Sequence, residues 1–162
     1  MVKKKTFEEI LDSEGRLVYT SVGTSMLPLI RQEKDLLVIE KPSGRLKKYD
    51  IALYRRDNGK CVLHRILRVR KNDYVICGDN QWRVEYGITD RHIIGVLRER
   101  IRDGRTESLN APRFRLYAHL WCDLFPVRAM LLRGRYMSKR CISLLISMKK
   151  RRMMKEKLTD DH

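Results

Sequence analysis

The chain has 162 residues, with 36 Lys and Arg against 20 Asp and Glu, a net charge of +16 and a sequence pI near 10.0. That is one domain's worth of chain, and 43% hydrophobic with 35% charged residues exclude a collagen-like, a membrane-embedded and a wholly disordered protein. The best apolar run, Cys141 to Met148, falls far short of the roughly 18 residues that a spanning helix needs. The basic start Met1-Val2-Lys3-Lys4-Lys5 runs into Phe7-Glu8-Glu9-Ile10-Leu11-Asp12 instead of an apolar segment, so no export signal is expected. Cys61, Cys77, Cys122 and Cys141 lie far apart without Cys-x-x-Cys or His at zinc-ligand spacing. Neither a metal nor another cofactor is expected, and a reducing cytoplasm suits the thiols.

In chain order, Thr6-Phe7-Glu8-Glu9 predicts a short helix with Thr6 as N-cap, Glu9 closing a capping box and Gly15 as the stop. Strands are then predicted at 17–22, 36–40, 51–56, 61–70, 74–77 and 92–100, each rich in Val, Ile, Leu or Tyr and separated by turn residues. Asp57-Asn58-Gly59-Lys60 predicts a hairpin pairing 51–56 with 61–70, and Asp103-Gly104 a second one. Beyond Asn110 the pattern turns helical: Pro112 suits a first turn, 114–133 carries apolar residues near helical spacing, and Pro126 should kink or split it. A further helix is predicted over 138–157, with Ile142, Leu144, Leu145 and Met148 set against Lys149-Lys150-Arg151-Arg152. Net charge rises along the chain, +2 over 1–50, +5 over 51–100 and +9 over 101–162. The expected organisation is an N-terminal helix (1–16), a β domain (17–110) and a basic helical C-terminal extension (111–162).

Three stretches carry candidate chemistry. In Val22-Gly23-Thr24-Ser25-Met26-Leu27-Pro28 a strand ends in a Gly-flanked serine whose turn can present a hydroxyl, with backbone N–H groups near by for a developing oxyanion. A serine needs a base, and His64 in Val62-Leu63-His64-Arg65-Ile66 lies on the strand face shared with Val62 and Ile66. Asp79 in Cys77-Gly78-Asp79-Asn80 can orient the imidazole as the third member of a triad. Taken singly, each has an ordinary structural explanation: two turns rich in Gly, Ser, Asp and Asn, and a core histidine satisfied by backbone. His92, His119 and His162 have less framing.

In combination and order, Gly23-x-Ser25-Met26-x-Pro28, a basic strand reaching His64-Arg65, Gly78-Asp79-Asn80 and a last strand with Ile94-Gly95-Val96 resemble the signal peptidase I superfamily, which includes the LexA-like self-cleaving repressors. The resemblance covers about residues 17 to 100. It implies a mainly β fold, a coiled sheet or β-barrel, and a serine peptidase with Ser25 as nucleophile, His64 as base and Asp79 as orienter. His64-Arg65 resembles the histidine-base branch of endoplasmic-reticulum and archaeal type. Gly23, Thr24 and Met26 would form the oxyanion and substrate-binding turn, and small side chains would precede the cut in an extended peptide or precursor protein. Three departures stand out. No transmembrane anchor is expected. Gln81-Trp82-Arg83-Val84-Glu85 replaces the usual Ser-x-Asp-Ser-Arg, leaving Glu85 as a candidate second carboxylate. Gly23 stands where some members place a serine.

The expected protein is thus a cytoplasmic endopeptidase, active in leader or signal-peptide processing and peripheral to the inner face of the membrane if 138–162 lies on anionic lipid. A self-cleaving repressor is disfavoured, because at about 1.5 Å per residue 1–16 cannot hold three DNA-binding helices. No specific nucleic-acid contact is predicted, since aromatics make up only 7% of the chain. The alternative is an inactive basic domain that binds nucleic acid or an anionic membrane surface.

Overall fold

The computed structural model describes the backbone of residues 5–160 and the side chains of 5–144 and 146–148. Helix α1 (Phe7–Glu14) opens on the Thr6/Glu9 capping box and closes on Gly15 at φ 72°. The strands are β1 (Arg16–Thr20), β2 (Leu36–Glu40), β3 (Ile51–Arg55), β4 (Cys61–Val69), β5 (Tyr74–Cys77), β6 (Glu85–Ile88), β7 (Ile93–Arg102) and β8 (Arg105–Ser108), followed by helices α2 (Pro112–Asp123) and α3 (Phe125–Asp160). All strand pairs are antiparallel, in the order β1-β2-β7-β3-β4-β5-β6. Strand β8 joins the long β7 beyond the part that β3 covers. The β expectation holds, but the sheet is open along its hydrogen-bonded path, not a closed barrel.

Alternation along β3 divides the core in two. Ile51 and Leu53 point into a cluster with Leu17, Met26, Leu37 and Leu97. Ala52 and Tyr54 point into the other, with Ile66, Tyr74, Ile76 and Val96. The first cluster buries the apolar end of the loop between β1 and β2, which carries Ser25.

Pro112 takes the first turn of α2, and the chain breaks at Leu124, so Pro126 falls in the first turn of α3, where a missing N–H costs nothing. The predicted boundary near 138 is absent: α3 runs unbroken from 125. Helix α2 is no loose extension, since Ala118 and Cys122 are buried and Phe114 and Tyr117 pack on the β core. From Arg133 to Leu144 every side chain of α3 is exposed. The basic run 149–152, on which the membrane-surface expectation rests, lies outside the described side chains. Among the described residues no helix is long and apolar enough to cross a membrane.

Candidate active site

Residues 21–35 leave the sheet after β1 and return to it at β2. The excursion is pinned at its neck, where the Glu33 N–H donates to Ser21 O at 3.1 Å and the Gly23 N–H to Gln32 Oε1 at 3.0 Å. It is anchored from below by fully buried Asp35, which takes Arg102 Nη2 at 2.6 Å and the Arg31 N–H at 2.8 Å, while Arg102 also donates to Leu29 O at 2.9 Å. Burial would raise the Asp35 carboxyl, but the bonds from Arg102 and Arg31 outweigh it and hold it at about 2. Buried Met26, Leu29 and Ile30 fix the turn from the apolar side. A loop this constrained presents Ser25 on fixed backbone.

The turn after β5 fastens Ser25 from the other side. The Asn80 N–H donates to Ser25 O at 2.7 Å, and Asn80 Nδ2 to Thr24 O at 3.1 Å. Gly78 is required here: a Cβ on it would lie 2.7 Å from Ser25 O and 3.1 Å from both His64 Nε2 and Gln81 Oε1. The Ser25 loop, His64 and the turn therefore converge on one point. Cys77 donates to the carbonyls of Gln81 and Arg83, and burial pushes its thiol up to about 12, so it serves as a donor and not a nucleophile.

His64 is 2% exposed, on the face of β4 that looks toward Tyr54. Its Nδ1 lies 3.1 Å from Glu85 Oε1 and 3.2 Å from the Tyr54 hydroxyl. A carboxylate only accepts, so Nδ1 carries the proton, and the Tyr54 hydroxyl directs its own proton elsewhere. Burial would raise Glu85, but the bonds from His64, Arg56 and Tyr54 prevail and hold it at about 2. Arg56 grips the same carboxylate through Nε at 2.8 Å and through Nη2. Tyr54 is driven well above its usual range by burial and by the charge of Glu85, and so stays a neutral phenol. With Nδ1 protonated, Nε2 is the basic nitrogen, on the side where Gly78 and the Ser25 carbonyl lie.

Asp79 does not orient His64. It is fully buried and held bidentately by Arg65, Nε to Oδ1 and Nη2 to Oδ2 both at 2.8 Å, with the Tyr117 hydroxyl at 3.1 Å and Trp121 Nε1 donating to its carbonyl at 2.8 Å. Strand geometry explains the exchange. Arg65 neighbours His64 and so points to the opposite face, and its partner across the ladder is Cys77, two residues before Asp79. Ile76 pairs with Ile66 on one side and with Glu85 on the other, which puts Glu85 on the His64 face. Asp79 locks α2 onto the turn, and Glu85 is the carboxylate in contact with His64.

Ser25, Gly23, Thr24, Met26 and His64 line one cavity of about 360 Å3, floored by Leu53 and Leu63 and bounded by Asn80, Gln81, Phe7 and Tyr19. The Ser25 hydroxyl makes no hydrogen bond to His64 in this state; such pairs commonly close only when substrate excludes water. The Gly23 N–H is occupied by Gln32, whereas the N–H groups of Ser25 and Met26 have no acceptor among the described residues. The cavity is thus lined by a serine and an oriented imidazole, and the serine loop carries two amides without an acceptor among the described residues. Comparison of the chain with protein-family models, with curated proteins and with solved structures gives no match. His92 is tied to Thr89 and Asp57, and His119 packs on Tyr49. Among the described residues no group of three or more His, Cys, Asp or Glu is placed to hold a metal ion. Arg56 and Tyr54 carried no signal in the sequence, because each looks like an ordinary strand residue until Glu85 arrives from β6.

Proposed function

We propose that the chain is a serine endopeptidase of signal-peptidase-like fold and type, with Ser25 as nucleophile, His64 as general base and Glu85 as the group that orients it. One observation carries this: distant segments bring a serine loop and a buried histidine to one cavity, the histidine's Nδ1 held by a carboxylate and its Nε2 turned toward the serine loop.

The chemistry follows from the groups. Ser25 Oγ attacks the scissile carbonyl as His64 Nε2 takes its proton, and Glu85 stabilises the imidazolium so formed. The N–H groups of Ser25 and Met26 receive the oxyanion, a contribution of about 10²–10³ in rate for one such donor. Collapse expels the amine with the proton from His64, and water then hydrolyses the acyl-enzyme. Strand β5 covers β4 only from Arg65 onward, so residues 61–64 offer an unpaired edge along the cavity. An extended peptide adds there as a strand, its scissile carbonyl set in register with Ser25. Phe7, Tyr19 and Met26 crowd the cavity, which favours small residues before the cut. Unpaired cysteine thiols at 61, 77, 122 and 141 support a reducing compartment, and we place the enzyme in the cytoplasm.

The test is a degenerate peptide pool read by mass spectrometry. Wild type should cut it at small residues, with cleavage abolished in Ser25→Ala and in His64→Ala while both variants stay folded by circular dichroism. Cleavage that persists in Ser25→Ala, or none by folded wild type, overturns the assignment.

A further inference from the structure

Beside the catalytic cavity runs a second depression of about 480 Å3, between the Leu27-Pro28 end of the serine loop and residues 132–139 of α3. Asn80 lines both. A neighbouring hollow of about 380 Å3 shares Gln81 with the catalytic cavity and Trp82 and Tyr136 with the groove. The three form one track that leads away from Ser25 over the turn after β5.

Its chemistry is one-sided. The floor is apolar, from Leu27, Pro28, Trp121 and Leu132, and the Trp82 and Tyr136 rings meet with centroids 4.9 Å apart. The rim is cationic: Arg83, Arg135 and Lys139 are exposed and have no ion-pair partner among the described residues. Among the described residues the only carboxylate lining the track, Glu85, is already bound by Arg56 and His64. The sequence has no Asp or Glu between Asp123 and Glu156, so α3 brings no counter-charge of its own over that stretch.

Taking the peptidase assignment as given, we propose that this track is an extended subsite for an acidic segment of the substrate, with apolar residues interleaved among its Asp and Glu, lying several residues to one side of the scissile bond. Continuity with the catalytic cavity favours a peptide: Asn80 lines both that cavity and the groove, and Gln81 lines both that cavity and the neighbouring hollow. Exposed charges at this spacing steer and select more than they tighten, so the preference depends on salt.

The test uses fluorescein-labelled peptides, each with the same Ala-x-Ala core, carrying an acidic block (Glu-Glu-Leu-Glu-Glu-Leu), a Gln-substituted neutral block or a Lys-substituted basic block on either side. Binding is read by anisotropy on Ser25→Ala, and cleavage on wild type. The acidic block on one side should tighten binding about 10-fold over the neutral one at low salt, with the gain shrinking as salt rises. R135E/K139E should remove that gain and leave neutral-peptide cleavage within about 2-fold; W82A should weaken acidic and neutral peptides alike. Equal binding of acidic and neutral peptides overturns the subsite, as does an acidic preference that survives R135E/K139E. So does loss in R135E/K139E of binding to phosphatidylglycerol vesicles or to a single-stranded RNA 20-mer with peptide binding unchanged, which would reassign the patch to that partner. Selective acidic binding without cleavage of any peptide would instead retain the groove and remove the catalytic assignment.

Discussion

Exchanging each candidate carboxylate for its amide separates their roles. Glu85 sits 3.1 Å from His64 Nδ1 and is ionised. When the imidazolium forms, a unit charge about 4 Å away at an effective dielectric near 20 is worth about 4 kcal/mol. Glu85→Gln keeps an acceptor for Nδ1–H but removes that charge and leaves Arg56 facing the imidazolium, so kcat should fall about 10³-fold. Asp79→Asn acts elsewhere: Arg65, 4% exposed, loses its counter-ion, and stripping one partner from a buried pair costs about 3–5 kcal/mol. Its thermal midpoint should drop sharply, while kcat per folded molecule, measured in the cold and normalised by circular dichroism, stays within about 10-fold of wild type. The opposite pattern, with kcat lost in Asp79→Asn at little cost in stability and retained in Glu85→Gln, refutes the assignment of Glu85.

Three further outcomes follow. Gly78→Ala puts a Cβ 2.7 Å from the Ser25 carbonyl; overpacking of this kind costs about 1–3 kcal/mol, and activity should fall beyond what melting explains, whereas a fully active variant contradicts the convergence at Gly78. The Asp35 carboxyl is lowered from 3.8 to about 2, so its contribution is complete above about pH 4 and is lost as pH falls toward 2. By roughly 1.4 kcal/mol per unit this amounts to about 2 kcal/mol, and urea unfolding of Asp35→Asn should lose that part of the acid slope. Glu85, lowered from 4.5 to about 2, carries the same sign. Deleting 141–162 should move the thermal midpoint by no more than about 2 °C, because the α3 side chains from 133 to 144 are exposed; a large drop would show that the body needs the distal helix.

Much of the fold is local and therefore legible. The Thr6/Glu9 box, Gly15, Asn58-Gly59 and Asp103-Gly104 fix their elements by backbone preference alone, and Gly59 and Gly104 take the positive φ that those turns demand, 79° and 76°. Strand β6 escaped because Glu85-Tyr86-Gly87-Ile88 shows one buried side chain and a glycine at φ 76°, a pattern without alternation. The sequence leaves Asp79 and Glu85 both as candidates, since only the pairing of β6 with β5 carries Glu85 to the His64 face. Helix α3 runs on through Gly134 and Ser138 because a single Gly or Ser lowers helix propensity without ending a helix, and the Ser138 hydroxyl bonds back to Gly134 O at 3.0 Å. Ser25 and His64 were legible as candidates from residue type and setting. Their sharing of one cavity depends on long-range pairing that no local pattern encodes.

The most direct measurement of the central claim is the intact mass of the protein after exposure to a peptidyl phosphonate diphenyl ester with alanine next to phosphorus. The expected result is one covalent adduct, mapped to Ser25 by digestion, absent from Ser25→Ala and formed at least about 10²-fold more slowly in His64→Ala. No adduct on folded wild type, or one that forms as fast without His64, would contradict a Ser25–His64 catalytic pair.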